Sequence, residues 1–504
     1  MNQEPSTVLA KIATGIPGFD VFSEGGLPKG RTTLISGTAG SGKTIFASQF
    51  LAEGIARGHN GVFVTFEEPP QMLCKNVRGF GWDIEQWQRE GKWYFVDASP
   101  QDRNVPTVSG EYDLEPLISR LKYAIKQVNA KRVAMDSLGA IFSYVPDVAQ
   151  VRSALFRLAQ VLREMEITAI LTSERTSDYG QISRYGIEEF VADNVIVMRN
   201  ALIEEKRRRT IEILKYRGVS HQHGEFPFTI VAERGIVVIP FSTDVSKRKT
   251  SAKRITSGSE DLDKMCGGGW FEGSTILVSG ATGTGKSLMA TEFINGGVKN
   301  NEKCLLFAFE EGRDQLLRNA IGWGVDYEQI ENEGKLEIVC SYPETTGLET
   351  HFVKMRDKIE QFKPQRIAVD SITALERVST FKGFREFLLM LNTLLKEKNI
   401  TTLYTANTSN LIGSPSVSES NISTNTDLII LLRYVEVYGE VKRGLTVLKM
   451  RGSKHDKDIR EFIISDRGMS IGKPFRNVMG ILSGNPVYTD TDELNRLNDL
   501  LTEA

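Results

Sequence analysis

Gly37-Thr38-Ala39-Gly40-Ser41-Gly42-Lys43-Thr44 follows the apolar run Thr33-Leu34-Ile35-Ser36 and opens a stretch of helical periodicity, Thr44–Arg57. A β-run, a glycine-rich turn ending in Lys-Thr, and then a helix together read as a P-loop. The glycines let the backbone wrap so that several N–H groups converge on phosphate oxygens. The helix N-terminus adds its positive dipole end. The arrangement returns as Gly280-Ala281-Thr282-Gly283-Thr284-Gly285-Lys286-Ser287, with Lys43 and Lys286 separated by 243 positions. Lys43 and Lys286 are the expected contacts to the β- and γ-phosphates, and the hydroxyls of Thr44 and Ser287 the expected Mg²⁺ ligands. ATP with Mg²⁺ is therefore the expected ligand of both loops.

Outward from the loops, Thr65-Phe66-Glu67-Glu68 returns as Ala308-Phe309-Glu310-Glu311 at the same offset of 243. Arg132-Val133-Ala134-Met135-Asp136-Ser137 returns as Arg366-Ile367-Ala368-Val369-Asp370-Ser371, and Lys215-Tyr216-Arg217-Gly218 as Lys449-Met450-Arg451-Gly452, both at an offset of 234. Four blocks in one order at nearly one spacing mean a duplicated domain. The change of offset makes the first copy longer between its second and third blocks. Gln101–Glu111, rich in Pro, Gly and Ser, is the expected place for that surface loop. Short β-rich runs (Gly61–Val64, Arg132–Met135, Ile167–Leu171) alternate with helical stretches such as Val148–Met165. That order predicts α/β domains with doubly wound, largely parallel sheets, whose ligands sit at the carboxyl ends of the strands. Residues 1–240 read as the first domain and 241–253 as a polar linker. Residues 254–482 read as the second domain, and 483–504 as a tail with a short helix, Asp492–Leu501.

Composition agrees with two soluble globular domains: 504 residues, 40% apolar and 25% charged. No run of 18 apolar residues exists, so no membrane helix is expected. Met1-Asn2-Gln3-Glu4-Pro5 has no basic, then apolar, export pattern, and a cytoplasmic location is expected. Cys74, Cys266, Cys304 and Cys340 lie singly, without metal spacing, and read as reduced, mostly buried thiols. The balance of 62 basic against 64 acidic residues speaks against a dedicated nucleic-acid binder or recombinase. The basic cluster of the linker reads as solvated.

Asp136 and Asp370 end apolar β-runs, the place of a carboxylate that holds Mg²⁺ through water or polarises its shell. Glu67-Glu68 and Glu310-Glu311 also end β-runs, where a carboxylate takes the proton of an attacking hydroxyl. Adjacent residues of a strand point to opposite sides. One glutamate of each pair then faces the nucleophile and the other the metal or a neighbour; Glu310 is grouped with Thr44 and Ser287 on the metal side. A single acidic pair reads as a solvated strand end, but recurrence after each P-loop reverses that preference. Lys215, Arg217, Lys449 and Arg451 read either as exposed strand residues or as cationic fingers for a transferring phosphoryl group. Their spacing does not say whether they act within the chain or on a neighbour. When the copies are aligned on Asp193 and Asp427, Glu189 and Phe190 stand where the second copy has Ser423 and Thr424. The residues alone favour a solvated Ser/Thr loop there.

With its tandem P-loops, its glutamate pairs, Lys449-Met450-Arg451-Gly452-Ser453 and Ile422-Ser423-Thr424 before Asp427, the chain resembles the KaiC family of circadian clock ATPases and autokinases. The match runs from about residue 7 to residue 480. The resemblance implies two tandem RecA-like domains in a two-tiered homohexamer with ATP bound between neighbouring subunits. It implies slow ATP hydrolysis in the first ring, with Glu67 or Glu68 activating water. It also implies autokinase and dephosphorylation activity in the second, with Glu310 or Glu311 as base. Ser423 and Thr424 match the phosphorylated pair, and Ser418 a third hydroxyl position. Lys215, Arg217, Lys449 and Arg451 match residues that reach a neighbour's nucleotide, and Met450 is expected among the ATP-binding residues. His221 matches a residue around the first nucleotide; Trp323, Ser453, His455 and Lys457 match residues around the second. Ser287 stands where the best-known members have Thr, and a serine hydroxyl serves the metal equally well. The tail after Leu482 departs from the segment that clock members offer to KaiA. A KaiB-like partner bound through the first ring is thus expected, and control by KaiA is not.

Overall fold

The computed structural model describes residues 9–99, 115–139, 148–183, 186, 188–203, 205–240, 251–408, 425–437, 439–466, 468–476, 478–481 and 487–488. The chain forms two compact units, Met1–Phe241 and Ser242–Ala504. The expected insertion at Gln101–Glu111, linker residues 241–250 and the tail helix Asp492–Leu501 lie outside the described residues. Ser251 and Lys253, assigned to the linker from the sequence, are tied to Glu272 of the second unit, each at 3.0 Å.

The sheet of the first unit takes its strands from β1 (Thr32–Gly37), β2 (Gly61–Thr65), β3 (Trp93–Asp97), β4 (Arg132–Asp136), β5 (Thr168–Glu174), β6 (Asn194–Ile203), β7 (Lys206–Tyr216), β8 (Glu225–Val231) and β9 (Gly235–Val238). Their order is β9-β8-β7-β6-β1-β5-β4-β2-β3. Six strands from β6 to β3 run parallel, and β7, β8 and β9 extend the sheet antiparallel. The second unit repeats this with β10 (Thr275–Gly280), β11 (Cys304–Ala308), β12 (Leu336–Cys340), β13 (Arg366–Asp370), β14 (Thr401–Asn407), β15 (Leu428–Val437), β16 (Glu440–Met450), β17 (Arg460–Ser465) and β18 (Gly468–Pro474). Their order is β18-β17-β16-β15-β10-β14-β13-β11-β12. The expectation of tandem α/β domains with largely parallel sheets holds. The antiparallel extension was not read from the sequence.

Alternation along the strands assigns the two faces. Leu34, Val62, Val64, Val133 and Met135 join one core, with Leu121 and Ile125 of α2 (Glu115–Val128) and Leu155, Leu158 and Leu162 of α3 (Val148–Glu164). Ile35, Phe63 and Ala134 face the other way, into a second core with Phe46 and Phe50 of α1 (Lys43–Ala56). Helices thus cover both faces, which is why the central strand β1 is buried along its whole length. Cys266 and Cys304 are buried, Cys74 is half-buried and Cys340 is exposed, so the expectation of mostly buried thiols holds for two of the four.

One packing device recurs in both copies. Arg132 begins β4 fully buried; its Nη1 donates to Phe50 O at 2.7 Å and Ala13 O at 3.0 Å, and its guanidinium lies 4.6 Å from the centre of the Phe50 ring. Arg366 begins β13 in the same way, donating to Phe293 O at 3.0 Å and Thr256 O at 2.8 Å, 4.9 Å from the Phe293 ring. Each arginine lies across a glycine of the P-loop helix: a Cβ on Gly54 of α1 would sit 2.6 Å from Arg132 Cδ. One on Gly297 of α4 (Lys286–Lys299) would sit 2.7 Å from Arg366 Cδ. Gly→Ala inside a helix ordinarily gains roughly 0.5–1 kcal/mol. Gly297→Ala is expected to do the opposite and cost about 1–3 kcal/mol through overpacking. A lowered urea midpoint checks this; a raised midpoint would show that the arginine yields.

Candidate functional site

In both units the P-loop is the turn between the central parallel strand and its helix. Gly37 ends β1 where no side chain fits: a Cβ would lie 2.4 Å from Ser41 Oγ and 2.6 Å from Met198 O. Gly40 and Gly42 have φ of +72° and +97°, the left-handed region that glycine adopts without penalty. Ala39 and Gly40 are exposed at the tip. Gly42 caps α1 without a side-chain hydrogen bond, so the first N–H groups of the helix face the loop. The second loop is built alike, with Gly280, Gly283 at φ +81° and Gly285 at φ +105°. Thr284 packs its hydroxyl onto Ala281 O at 2.8 Å, and Thr282 is exposed.

Lys43, 8% exposed, turns back over the loop and donates to Gly37 O at 2.9 Å and Thr38 O at 3.1 Å. Lys286 donates to Ala281 O at 2.8 Å. Burial lowers the pKa of both ammonium groups. The charges of Glu174, Asp136 and Glu67 oppose this at Lys43, and those of Asp370 and Glu310 at Lys286. Thr44 Oγ1 donates to Asp136 Oδ2 at 2.6 Å, and Thr172 holds the other oxygen of Asp136. Asp370 accepts from Ser287 and Thr405 in the same pattern, and burial raises its pKa.

The glutamate pairs sit at the ends of β2 and β11, in register with these aspartates: Thr65 pairs with Asp136 and Ala308 with Asp370. The pairs lie in the bends just past these strands rather than on them, and the members of each pair take different partners. Glu67 accepts from Ser137 Oγ at 3.0 Å, whereas Glu68 is held by Asn76. Glu310 takes Arg377 Nη2 at 2.6 Å and Asn407 Nδ2 at 2.9 Å, whereas Glu311 takes Asn319 at 3.2 Å. Burial raises the pKa of Glu68 and of Glu311, and in each case the neighbouring aspartate adds to it. A carboxylate so raised is the better proton acceptor.

The cationic blocks do not join the P-loop of their own unit. Lys215 pairs with Val195 near the start of β6, while Gly37 pairs with Met198. Lys215 Nζ donates to Glu189 O at 2.9 Å and Ala192 O at 2.8 Å. Arg217 is exposed beyond it, and the His221 ring lies 5.5 Å from Tyr216. Likewise Lys449 donates to Thr426 O at 2.9 Å, Met450 is buried, and Arg451 lies 3.7 Å from Asp427. Ser453 accepts from Arg254 at 2.6 Å; His455 is half-buried and Lys457 exposed. Trp323 is half-buried at the end of helix Arg313–Gly322. Ser418, Ser423 and Thr424 lie outside the described residues.

Several residues at these sites escaped the sequence reading. Thr172 and Thr405 hold the aspartates, and Asn76 and Asn319 the second glutamates. Arg209 and Arg443 lay Nε on Gly40 O at 3.4 Å and Gly283 O at 3.2 Å. Phe80 stands 243 positions before Trp323. The asparagines recur at the offset of 243 and the arginines at 234, singly rather than in blocks, and that was the available signal; Thr172 and Thr405 are 233 positions apart. Glu174 and Asn407 end equivalent strands, in register with Gly37 and Gly280. The first site therefore carries an extra carboxylate where the second carries an amide.

Among the described residues no group of three or more His, Cys, Asp or Glu forms a metal cluster. Mg²⁺ fits this donor set nevertheless, because it keeps waters and binds through one or two carboxylates plus phosphate oxygens. Thr44 beside Asp136 and Ser287 beside Asp370 are that arrangement. Among the described residues no helix is long and apolar enough to cross a membrane.

A family model described as "ATPase: KaiC" matches the chain twice, over residues 12–243 and 255–475. The chain is 65% identical over 495 residues to "Circadian clock protein KaiC3" of Synechocystis sp., with 98% of each chain covered. It is 49% identical over 494 residues to "Circadian clock oscillator protein KaiC" of Parathermosynechococcus lividus, covering 98% of this chain and 91% of that one. For the protein of the same description from Synechococcus elongatus the identity is 48% over 501 residues, with 99% and 96% covered.

The two loops differ in tolerance. A Cβ on Gly285 would meet Phe462 Cε1 at 2.5 Å, whereas one on Gly42 finds its nearest atom, Ile230 Cδ1, at 3.4 Å. Gly42→Ala is expected to cost about 1–2 kcal/mol for its left-handed backbone alone. Gly285→Ala should cost more by roughly 1–3 kcal/mol of overpacking. Thermal denaturation of the two variants checks the order; equal shifts would contradict it.

Proposed function

The chain belongs to the KaiC family of ATPases, and from that premise we propose that it hydrolyses ATP in its first domain and phosphorylates itself in its second. The observation that carries the division is the unequal company of the glutamate pairs on a duplicated frame. Glu67 takes a neutral hydroxyl from Ser137, and Glu174 ends the strand beside the P-loop. Glu310 takes a guanidinium and an amide, from Arg377 and Asn407. Glu310 must give up a charge-assisted bond and an amide before it can turn to a water, whereas Glu67 need only release a neutral hydroxyl, and on this ground we assign water activation to the first site.

There Glu67 or Glu68 accepts a proton as a water oxygen bonds to the γ-phosphorus and the bond from that phosphorus to the β-phosphate oxygen breaks. Lys43 and the loop N–H groups hold the phosphates through the step. In the second domain Lys286 does the same, Glu310 or Glu311 accepts the proton, and the nucleophile is the hydroxyl of Ser423 or Thr424. Loss of that phosphate in a later step completes a cycle of phosphorylation and dephosphorylation. Mg²⁺, when bound, neutralises charge on the β- and γ-oxygens; Thr44 with Asp136 and Ser287 with Asp370 would hold it, with Glu310 nearby.

Lys215, Arg217, Lys449 and Arg451, remote from their own P-loops, serve the nucleotide of the next subunit in a homohexamer. His221 completes the first nucleotide site; Trp323, Met450, Ser453, His455 and Lys457 complete the second. The relatives named as clock proteins support a role in Kai-type timing or signalling. A KaiB-like partner would bind through the first domain, without a strong response to KaiA.

Incubation with labelled ATP tests the division of labour, with released and protein-bound phosphate counted separately. Glu67→Gln/Glu68→Gln is expected to lower release on the order of 10²-fold, while Glu310→Gln/Glu311→Gln keeps most of it. Release that survives the first double substitution would refute the assignment. Mass spectrometry after incubation with Mg-ATP is expected to find phosphate on Ser423 and Thr424, each adding about −1.5 to −2 charges. Finding none on either residue while ATP is bound in the second domain would reduce the protein to an ATPase.

A further inference from the structure

The first P-loop is fastened by a contact that the hydrolysis reading does not use. Thr38 is the first residue after β1, and its carbonyl accepts Lys43 Nζ at 3.1 Å. Its hydroxyl donates to Asp178 Oδ1 at 2.7 Å. Asp178 is itself anchored to β6: the same Oδ1 accepts Asn200 N at 2.9 Å, and its backbone carbonyl accepts Arg199 Nε at 3.2 Å. The segment that carries Asp178 is closed on itself and on the loop. Arg175 N donates to Gly37 O at 3.1 Å, and the Arg175 side chain, 7% exposed, ties the carbonyls of Gly180 and Gln181, each at 3.0 Å. A carboxylate in a tied segment thus grips the one side chain at the root of a loop otherwise rich in glycine.

The second copy holds its loop by other means. The residue at the place of Thr38 is Ala281, which has no hydroxyl. There Tyr434, at the place of Asn200, donates its hydroxyl to Thr282 O at 3.2 Å. The counterpart of Asp178 falls outside the described residues.

We infer that Asp178, acting through the Thr38 hydroxyl, is a positioning residue that pre-sets the first P-loop for the triphosphate. The physical reason is preorganisation. Gly40 and Gly42 leave the free loop many conformations, and ordering them on binding costs affinity; a contact that orders the loop beforehand removes part of that cost. Asp178 touches neither phosphate nor metal in this role, and its effect falls on binding rather than on the chemical step. The inference rests on the first loop being a nucleotide site.

Titration of the full chain with a fluorescent ATP analogue in Mg²⁺ tests it. In the wild type the two P-loops of each chain fill. In Asp178→Ala and in Thr38→Val, half of the sites are expected to weaken about five- to tenfold, the worth of one hydrogen bond. The other half keep their affinity and report that the chain is folded. Asp178→Asn, which retains an acceptor oxygen, is expected to bind like wild type, and Asp178→Ala/Thr38→Val no worse than either single variant. In steady-state hydrolysis the loss should appear in KM and leave kcat nearly unchanged. Wild-type affinity in Asp178→Ala, multiplying effects in the double variant, or a loss confined to kcat would each overturn the inference. A wild type that fills half of its sites or none would instead count against the nucleotide reading itself.

Discussion

Each site depends on where the P-loop helix lies against the strand that ends in its aspartate, and a buried arginine sets that position. Arg132 and Arg366 occupy the space that a side chain on Gly54 or Gly297 would need. A buried guanidinium is costly unless its donors are met. Here backbone carbonyls of the helix and of the segment before it meet Nη1 of each arginine, Glu302 meets Nε of Arg366, and a phenylalanine face lies beneath each guanidinium. The lengths then match. From Thr44 to Gly54 the helix rises about 15 Å, and from Arg132 to Asp136 the strand rises about 13 Å. Clasped at Gly54 on Arg132, α1 delivers the Thr44 hydroxyl to Asp136 at its other end. Ser287 reaches Asp370 by the same construction.

On this shared frame a few side chains separate the two sites. Glu174 and Asn407 stand at the ends of equivalent strands, where the amide reaches Glu310 and the carboxylate, one methylene longer, adds negative charge near Lys43. Arg377 reinforces the difference by pairing with the same Glu310 carboxylate. The loops themselves are held differently, by Asp178 on the Thr38 hydroxyl in one copy and by Tyr434 on the Thr282 carbonyl in the other. Duplication preserved the geometry that binds phosphate and left the surroundings of the attacking group free to diverge.

The P-loops, the strand-ending aspartates and the glutamate pairs were legible in the chain because their chemistry is local. A strand, a glycine turn and a helix are contiguous, and repetition at a constant offset separated them from chance. The Lys-x-Arg-Gly blocks were legible as a repeat but not as to reach. Only the sheet register, with Lys215 beside Val195 and Gly37 beside Met198, shows that they lie away from their own loop.

What the sequence by itself determined is the duplicated α/β plan, the two phosphate-binding turns and the residues that bear charge at their strand ends. Periodicity and spacing dictate these before any long-range contact forms. Tertiary structure alone decided which groups meet those charges. Gly37 and Glu174 become neighbours only when parallel strands separated by an entire set of crossovers pair. Arg132 finds Gly54, and Asp178 finds Thr38, only once helix and segment are packed on that sheet. Hydrogen bonds and burial act through space at a few ångströms, and the order of residues along a chain carries no record of them until the sheet has closed.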